Sequence, residues 1–351
     1  MISAVHCSSH RMLMPSSSSP FQPGGRECEC ECGCCYSHSQ WKPSMSSLGV
    51  PAASPRCALR AEDDYHSTLK VLQSRGRFPR KSLGQHYMLN SAINELMVKE
   101  AQLKEGDVVL EIGPGTGALT NALVNAGAHV FAIEKDAHMA MLVSERFNNN
   151  GKVKVVQEDF TRCHIEPQIL SFSTSIAPGS NYGQMAKVVS NLPFNIATDV
   201  LKLLLPMGDM FSHVVLLLQD EMALRVVGSS PGTPEYRQIN IFVNFYSVPE
   251  YKFKVQRTNF FPQPNVDAAV VVFKLKQVVD YPHVASPKGF FSMVNSAFNG
   301  KRKMLRKSLQ HLCASRDIES ALRTLGLPET SRPGELEMDD FVRLYNLLNS
   351  Q

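Results

Sequence analysis

The sequence lacks any apolar run near the roughly 20 residues that a membrane-spanning helix needs, and it carries little net charge. The run HVVLLLQ at 213–219 is far too short to span a bilayer. The 351 residues are 43% hydrophobic, as in ordinary globular proteins, and the formal net charge is +4. Such a mild excess of positive charge favours a nucleic-acid partner only if the positive side chains are clustered. The length allows two domains, or one large domain with additions.

Cysteine is scarce where the chain is expected to fold. Of nine cysteines, only Cys163 and Cys313 lie beyond residue 60, which indicates reduced thiols and excludes a disulfide framework. Five others crowd into ECECECGCC at 27–35. A metal site is one interpretation, but this spacing lacks the C-x2-C pairs of tetrahedral zinc sites. A compositionally biased segment is favoured, and we expect no metal.

Acidic residues are nearly absent from the first sixty residues, where only the Cys/Glu tract supplies them. This stretch is rich in Ser and Pro, carries scattered Arg, and has no apolar core of signal-peptide type. Such a composition is typical of an organellar transit peptide, and serine richness without a clear amphipathic Arg helix favours the chloroplast. We predict a disordered transit peptide over 1–60, cleaved near 56–61, and a linker over 61–80. An ordinary disordered tail is the alternative.

Beyond residue 80, apolar runs alternate with amphipathic stretches, which predicts βαβ units and a mostly parallel sheet. The last two apolar runs are joined by an irregular Pro-rich stretch, so they are expected to pair antiparallel at the sheet edge. Helical spacing dominates after residue 276. We predict an α/β catalytic domain over 81–276 and a small all-α domain over 285–351. The seven predicted strands are 107–113, 129–134, 152–159, 186–191, 212–219, 239–246 and 267–276, and the late helices are 289–298, 301–312, 318–326 and 338–349.

The glycine turn EIGPGTG at 111–117 stands where the first strand meets the first helix. Gly113 and Gly115 let a ligand approach the backbone, but the G-x-G-x-G spacing differs from the dinucleotide fingerprint. Glu134 ends the second strand and can accept hydrogen bonds from ribose hydroxyls. Asp159 ends the third strand and can accept from an adenine amino group. Because such sheets bind ligands at their carboxyl ends, the combination predicts a nucleoside ligand rather than solvated strand ends.

These residues resemble the class I S-adenosylmethionine-dependent methyltransferases, which have a Rossmann-like, mostly parallel seven-stranded sheet. SNLPFN at 190–195 resembles the asparagine–aliphatic–proline–aromatic motif of amino-group nucleic-acid methyltransferases. The resemblance implies that Asn191 accepts hydrogen bonds from the exocyclic amine and that Phe194 stacks on the base. Leu192 and Pro193 complete the motif, and Pro193 stiffens the turn because its φ is fixed and it has no N–H. A strained turn with a buried Phe is the structural alternative.

Three further stretches narrow the resemblance: KSLGQHYMLN at 81–90, NFFPQPNVDAAVVVF at 259–273 and NSAFNGKRKMLRKSL at 295–309. Together they resemble the ribosomal RNA adenine N6,N6-dimethyltransferases of the bacterial KsgA type and their eukaryotic counterparts, and most closely the plastid branch of plants. The resemblance implies S-adenosyl-L-methionine as cofactor, with Phe260 facing Phe194 across the target base. Bacterial members of this family usually have Asn at the position of His86 and often have Tyr at the position of Phe194. The implied cofactor residues are His86, Met88, Gly113, Gly115, Glu134, Asp159 and Asn191.

A cluster of positive charge supplies the expected RNA contact. One predicted helical stretch has Leu305, Leu309 and Leu312 on its apolar side, so its cations fan over the opposite side. Such a face neutralises phosphates without reading bases, although a solvated helix face is the alternative. The five cations are Lys301, Arg302, Lys303, Arg306 and Lys307.

The resemblance therefore implies dimethylation of N6 on two adjacent adenosines in a hairpin loop near the 3′ end of plastid small-subunit rRNA. The expected partner is the rRNA or the pre-30S particle, with the protein acting as a monomer in the chloroplast stroma. Alternatives are the same chemistry in the mitochondrion or nucleolus, and a non-catalytic rRNA-binding assembly factor. A nicotinamide-dependent oxidoreductase is also considered, but it predicts G-x-G-x-x-G and explains neither SNLPFN nor the basic run.

Overall fold

The computed structural model describes residue 70 and residues 79–80, 83–176 and 185–350, and a seven-stranded sheet forms the centre of this described part. The strands of the described residues are β1 (Tyr87–Met88), β2 (Val108–Ile112), β3 (His129–Glu134), β4 (Val153–Gln157), β5 (Ala186–Asn191), β6 (Phe211–Gln219), β7 (Ser247–Val255), β8 (Phe260–Phe261) and β9 (Ala268–Leu275). β1 and β8 pair with each other in a separate two-stranded ribbon, and the other seven form the sheet. The predicted transit peptide and nearly all of the predicted linker lie outside the described residues.

The α-helices whose bounds fall within the described residues are α1 (Ser91–Glu100), α2 (Ala118–Asn125), α3 (Ala137–Arg146), α4 (Ile165–Ile176), α5 (Ala197–Leu204), α6 (Asp220–Gly228), α7 (Gln238–Tyr246), α8 (Pro287–Asn299), α9 (Leu305–Ser308), α10 (Ser315–Thr324) and α11 (Met338–Asn349). Within this part of the chain, no helix combines the length and the apolar character needed to cross a bilayer.

The strand order confirms the mostly parallel sheet and defines its ligand-binding edge. The order is β4-β3-β2-β5-β6-β9-β7. Neighbours from β4 to β6 pair in parallel, whereas β9 pairs antiparallel with both β6 and β7. The chain runs outward from β2 to β4 and then returns to place β5 on the other side of β2. Ligands of such sheets bind outside the carboxyl ends of the strands at this point of reversal.

Apolar side chains cover both faces of the central strands, as expected for a parallel sheet with helices on each side. In β2, Leu110 packs in one apolar cluster and Val109 in another, and both are fully buried. β6 shows the same pattern, with no exposure from Val214 to Leu218. The sheet is therefore a rigid platform that fixes the positions of the loops at its carboxyl edge.

The predicted strand over 239–246 is wrong, because these residues form α7. Asn240 is fully buried and secures the helix start: its Oδ1 accepts from the Arg237 amide at 2.9 Å, and its Nδ2 donates to the Arg225 carbonyl at 2.6 Å. The antiparallel edge strand is instead β7, which follows directly. β7 contains Pro249, which an edge strand tolerates because one row of its N–H groups needs no partner.

The C-terminal helices share one apolar cluster with the sheet. Phe290 of α8 and Phe341 of α11 belong to the same cluster as Leu216 of β6 and Phe273 of β9. Phe245 of α7 lies against Phe290, with ring centroids 5.4 Å apart. The predicted all-α segment over 285–351 is therefore joined to the α/β part by a continuous core.

The single helix predicted over 301–312 is also wrong. Residues 301–304 form a turn after α8, and α9 spans four residues. The Lys303 amide donates to the Gly300 carbonyl at 2.6 Å, and the Leu305 amide donates across to Ser331 at 2.9 Å, so the helical ladder is interrupted. Leu305 and Leu309 are buried as expected, but Leu312 is 47% exposed.

Candidate active site

A pocket opens at the carboxyl ends of β2 to β5, where the strand order reverses. Its walls come from the arm 83–88, the glycine turn after β2, the ends of β3 and β4, and the loop after β5. The structure thus brings together most of the predicted site residues. Those lining the pocket are His86, Met88, Gly113, Gly115, Glu134, Asp159, Asn191, Leu192 and Pro193.

The glycine turn needs glycine for both conformation and space. Gly113 and Gly115 have φ values of +70° and +57°, in the left-handed region that favours glycine. A Cβ on Gly115 would lie 3.1 Å from the Tyr87 ring of the arm. The turn and the arm therefore meet closely, and a side chain at position 115 would push them apart.

Glu134 is held rigidly at the end of β3. Its side chain is largely buried, and Oε1 accepts from the Asp136 amide at 2.8 Å. The backbone amides of Gly115 and Lys135 also bond to this carboxylate. Burial raises its pKa above the ordinary value, while these amides oppose that rise. A fixed carboxylate of this kind is suited to accept two adjacent hydroxyls.

Glu111 is a second buried carboxyl group in the pocket, and sequence reasoning assigns it no role. It is 1% exposed, and the Thr120 hydroxyl donates to its Oε2 at 2.6 Å. Burial raises the pKa of Glu111 to about 8. The sequence does carry a signal for this residue, since an acid inside the apolar strand β2 requires a partner. With Glu134, it places two buried carboxyl groups on the wall of the pocket.

Asp159, which follows β4, is ionised and oriented by its neighbours. Lys135 Nζ lies 2.8 Å from its Oδ2, while Thr161 donates to its Oδ1 through the amide at 3.1 Å and the hydroxyl at 2.7 Å. The Lys135 and Thr161 contacts lower the pKa of Asp159 to about 2. Sequence reasoning misses Lys135 and Thr161 because polar residues that follow strands carry no distinctive pattern.

The loop after β5 begins with one buried apolar side chain, Leu192, next to a polar side chain, Asn191, that faces the pocket. Leu192 is 2% exposed and holds the loop in the core. The Ser190 hydroxyl donates to the Ile112 carbonyl at 2.5 Å, which ties the end of β5 to the end of β2. Asn191 Nδ2 lies 3.5 Å from the His86 carbonyl, so Oδ1 is the atom left to accept hydrogens from an amine. Pro193, with φ of −57°, leads into a tight turn over Phe194–Ile196.

The burial of Phe260 does not support the prediction that its ring faces Phe194 across the target base. Phe194 is half-buried, and its ring stacks with that of His86 at 5.9 Å between centroids. Phe260 is 3% exposed because it pairs with Met88 across the β1–β8 ribbon and packs into the core. Its ring has no free face for a base, so of the two predicted stacking residues the geometry favours Phe194.

The five predicted RNA-binding cations divide into two groups. Arg302, Lys303 and Lys307 are exposed. Lys301 Nζ donates to the Pro234 carbonyl at 2.7 Å. Arg306 is half-buried and pairs with Glu319 at 2.5 Å. The last two have protein partners, so the exposed three are the better candidates for phosphate contacts.

Several solved structures share this fold, and two of them illustrate it. A dimethyladenosine transferase from Plasmodium falciparum matches with a TM-score of 0.60 at 22% identity, over 73% of this chain and 94% of that one. The 23S rRNA methyltransferase ErmE matches with a TM-score of 0.55 at 21% identity, over 75% of this chain and 99% of that one. Both confirm a Rossmann-like methyltransferase fold with C-terminal helices.

Sequence comparison places the chain in a family. It is 66% identical to a chloroplastic ribosomal RNA small subunit methyltransferase of Arabidopsis thaliana, over 83% of this chain and 85% of that protein. It is 35% identical to ribosomal RNA small subunit methyltransferase A of Protochlamydia amoebophila, over 80% of this chain and 94% of that protein. The ribosomal RNA adenine dimethylase family model matches residues 77–350. The chain belongs to the ribosomal RNA adenine dimethylase family.

Proposed function

We propose that this protein transfers methyl groups from S-adenosyl-L-methionine to N6 of two adjacent adenosines, in a hairpin loop near the 3′ end of plastid small-subunit rRNA. The observation that carries the proposal is the position of Asn191. Its amide stands at the carboxyl end of β5, on the wall of a pocket that also holds the buried carboxyl groups of Glu111 and Glu134.

The residues of the pocket fit the proposed cofactor. When bound, S-adenosyl-L-methionine supplies a methyl group on a positively charged sulfur. Glu134 accepts from the ribose hydroxyls, and Asp159 accepts from the adenine amino group. The glycine turn allows close approach, and Glu111 adds a carboxyl group to a buried wall.

Asn191 and Phe194 act on the target adenosine. The N6 lone pair is delocalised into the ring, so the amine is a poor nucleophile. An uncharged acceptor such as Asn191 Oδ1 favours a pyramidal nitrogen with a localised lone pair. Phe194 offers a ring to a base taken out of its stack. The chain contributes mainly positioning and preorganised electrostatics.

The choice of plastid rRNA follows from relatedness and from the composition of residues 1–60. The Arabidopsis relative is named as a chloroplastic small-subunit enzyme, and the identity of 66% spans most of both chains. We propose that the protein acts as a monomer in the chloroplast stroma on rRNA or the pre-30S particle. Arg302, Lys303 and Lys307 supply sequence-independent contacts to phosphates.

The full chain should transfer labelled methyl groups to small-subunit rRNA that lacks dimethyladenosine. Mass spectrometry of the digested RNA should detect N6,N6-dimethyladenosine, with the hairpin transcript as substrate and a loop lacking both adenosines as control. RNA binding without methyl transfer would favour the assembly-factor alternative. Binding of a nicotinamide cofactor in place of S-adenosyl-L-methionine would contradict the proposal.

A further inference from the structure

His86 contacts the two turns that surround the proposed target base. We infer that His86 is a positioning residue that holds the Phe194 ring in place for the base. This inference rests on the proposed function, in which Phe194 stacks on the target adenine. It gives His86 a role beyond lining the cofactor pocket.

The first contact fixes His86 against the turn after β8. β1 pairs antiparallel with β8, with Tyr87 opposite Phe261, so His86 lies beside Pro262. His86 Nδ1 is 2.6 Å from the Pro262 carbonyl oxygen. Because a carbonyl oxygen only accepts, Nδ1 carries the proton, and Nε2 is the acceptor when the ring is neutral.

The ribbon that carries His86 is braced on its other side. The Leu89 amide donates to the Asn259 carbonyl at 2.8 Å, and Asn90 Nδ2 donates to Asn259 Oδ1 at 3.1 Å. Gly84, two residues before His86, has φ of +64°, and a Cβ there would lie 2.8 Å from Asn195 Oδ1. The arm is therefore pressed against the loop after β5 as well as against the turn after β8.

The second contact is with Phe194 itself. The two ring centroids are 5.9 Å apart with an interplanar angle of 26°, within the range of stabilising aromatic pairs. Phe194 also packs against the apolar cluster beneath the loop. The imidazole thus covers part of the ring and restricts its rotation. Through its carbonyl, 3.5 Å from Asn191 Nδ2, His86 also orients the proposed amine acceptor.

These contacts matter because the proposed catalysis depends on placement. A site residue whose side chain is locked by its neighbours needs no ordering when the substrate arrives. A misplacement of about 1 Å can cost on the order of 10²-fold in rate. The His86 side chain acts through Phe194, so its replacement should lower turnover more than cofactor affinity.

Two substitutions separate the contacts. His86→Asn retains a donor for the Pro262 carbonyl but has no ring, whereas His86→Phe retains a ring but has no donor. We expect His86→Asn to lower kcat about 10-fold or more and to lower cofactor affinity less than kcat, and we expect His86→Phe to lower kcat less than His86→Asn does. His164→Asn, at an exposed histidine outside the pocket, is the matched control. Thermal melts verify folding of each variant.

A double-mutant cycle tests the route through Phe194. In a Phe194→Leu background, His86→Asn should lower kcat by less than about 2-fold further, because coupled residues are not additive. A second measurement is independent of activity. In nuclear magnetic resonance spectra of the full chain, His86 should show Nδ1 protonated, and its ring-current shift should disappear in Phe194→Leu.

Three outcomes would each overturn the inference. The first is a double-mutant cycle in which the two losses in kcat are additive. The others are a His86→Asn kcat within 2-fold of wild type, and losses in kcat and cofactor affinity that are equal. Unchanged His86 resonances in Phe194→Leu would do so as well. If the wild-type chain transfers no methyl group, the proposed function fails. The resonance measurement still decides whether His86 holds Phe194.

Discussion

At the residue scale, the amide of Asn191 has two ends with different partners. Its Nδ2 lies near the His86 carbonyl, which leaves Oδ1 for the amine. Asn191→Ala should lower kcat by about 10²-fold or more, the usual cost of removing a preorganised transition-state interaction. Cofactor affinity, measured by calorimetry, should change much less. Asn149→Ala, at an exposed position, serves as the control, and equal losses in turnover and cofactor affinity would reduce Asn191 to a binding residue.

Glu111 should make the stability of the protein depend on pH. Burial raises its pKa from the ordinary 4.5 to about 8, so between these pH values the folded state holds a proton that the unfolded chain has released. The free energy of unfolding contributed by this group therefore falls as pH rises through that window. The side chain that replaces it in Glu111→Gln is neutral at every pH. The melting temperature of this variant, relative to that of wild type, should therefore rise progressively from pH 5.5 to pH 8.

The control for this pH dependence is Glu166→Gln, because Glu166 is exposed. Its melting temperature should follow that of wild type throughout the range. A Glu111→Gln difference from wild type that is the same at pH 5.5 and pH 8 would show that Glu111 is already ionised in the folded protein.

Sequence reasoning correctly predicts the location of polar side chains that end a strand, and their roles stay predictions. Glu134, Asp159 and Asn191 are polar side chains directly after apolar runs, and the parallel topology brings such positions to one edge. It fails where a role depends on contacts between distant segments. The stacking of His86 on Phe194 and the burial of Phe260 both follow from the β1–β8 ribbon, two strands of two residues each. Strands so short leave no periodic pattern to detect.

At the element scale, the turn 301–304 and helix α9 present fewer free cations than the sequence indicates. Arg302 and Lys307 are exposed, whereas Arg306 pairs with Glu319. Changing Arg302 and Lys307 together to Gln should weaken binding of loop and non-loop RNA alike, since phosphate contacts carry no sequence information. The log–log salt slope should become shallower by about 0.7 for each phosphate in a single-stranded region that the double variant no longer neutralises.

Arg306→Gln is the matched comparison for this experiment. Because Arg306 is paired with Glu319, its replacement should lower the melting temperature while leaving the salt slope of RNA binding near that of wild type. Wild-type affinity and slope in the Arg302/Lys307 double variant would place the RNA-binding face elsewhere on the protein.

Residues 239–246 are predicted as a strand but form helix α7, and this difference has a physical cause. The run INIFVNFY has only two polar residues, Asn240 and Asn244, and so short a run cannot be assigned to a strand or a buried helix by periodicity. Tertiary burial decides the outcome, since α7 packs between the sheet and α8. The true edge strand, SVPEYKFKV, is hidden by Pro249 and by its charged residues, which edge strands commonly carry.

At the scale of the whole molecule, the continuous core predicts one unfolding transition for the α/β and all-α parts. Phe290 of α8 is fully buried in the cluster that reaches the sheet. Phe290→Ala should destabilise the protein by about 3–5 kcal/mol and should lower a single calorimetric transition rather than split it. Leu312→Ala, at a half-exposed position, should change stability by no more than about 0.5 kcal/mol. Two separate transitions in wild type would contradict this coupling.

The remaining whole-molecule prediction concerns the targeting of the protein. Residues 1–60, acid-poor and rich in serine, should direct a fused fluorescent protein into chloroplasts. Sequencing of the imported fusion should place the new N-terminus near 58–62, where acids first become frequent. The same reporter fused to residues 61–351 should stay outside the organelle, because the targeting signal lies in the removed stretch. Mitochondrial or nucleolar fluorescence, or a mature protein that keeps the Cys/Glu tract, would contradict the chloroplast assignment and move the proposed substrate to another ribosome.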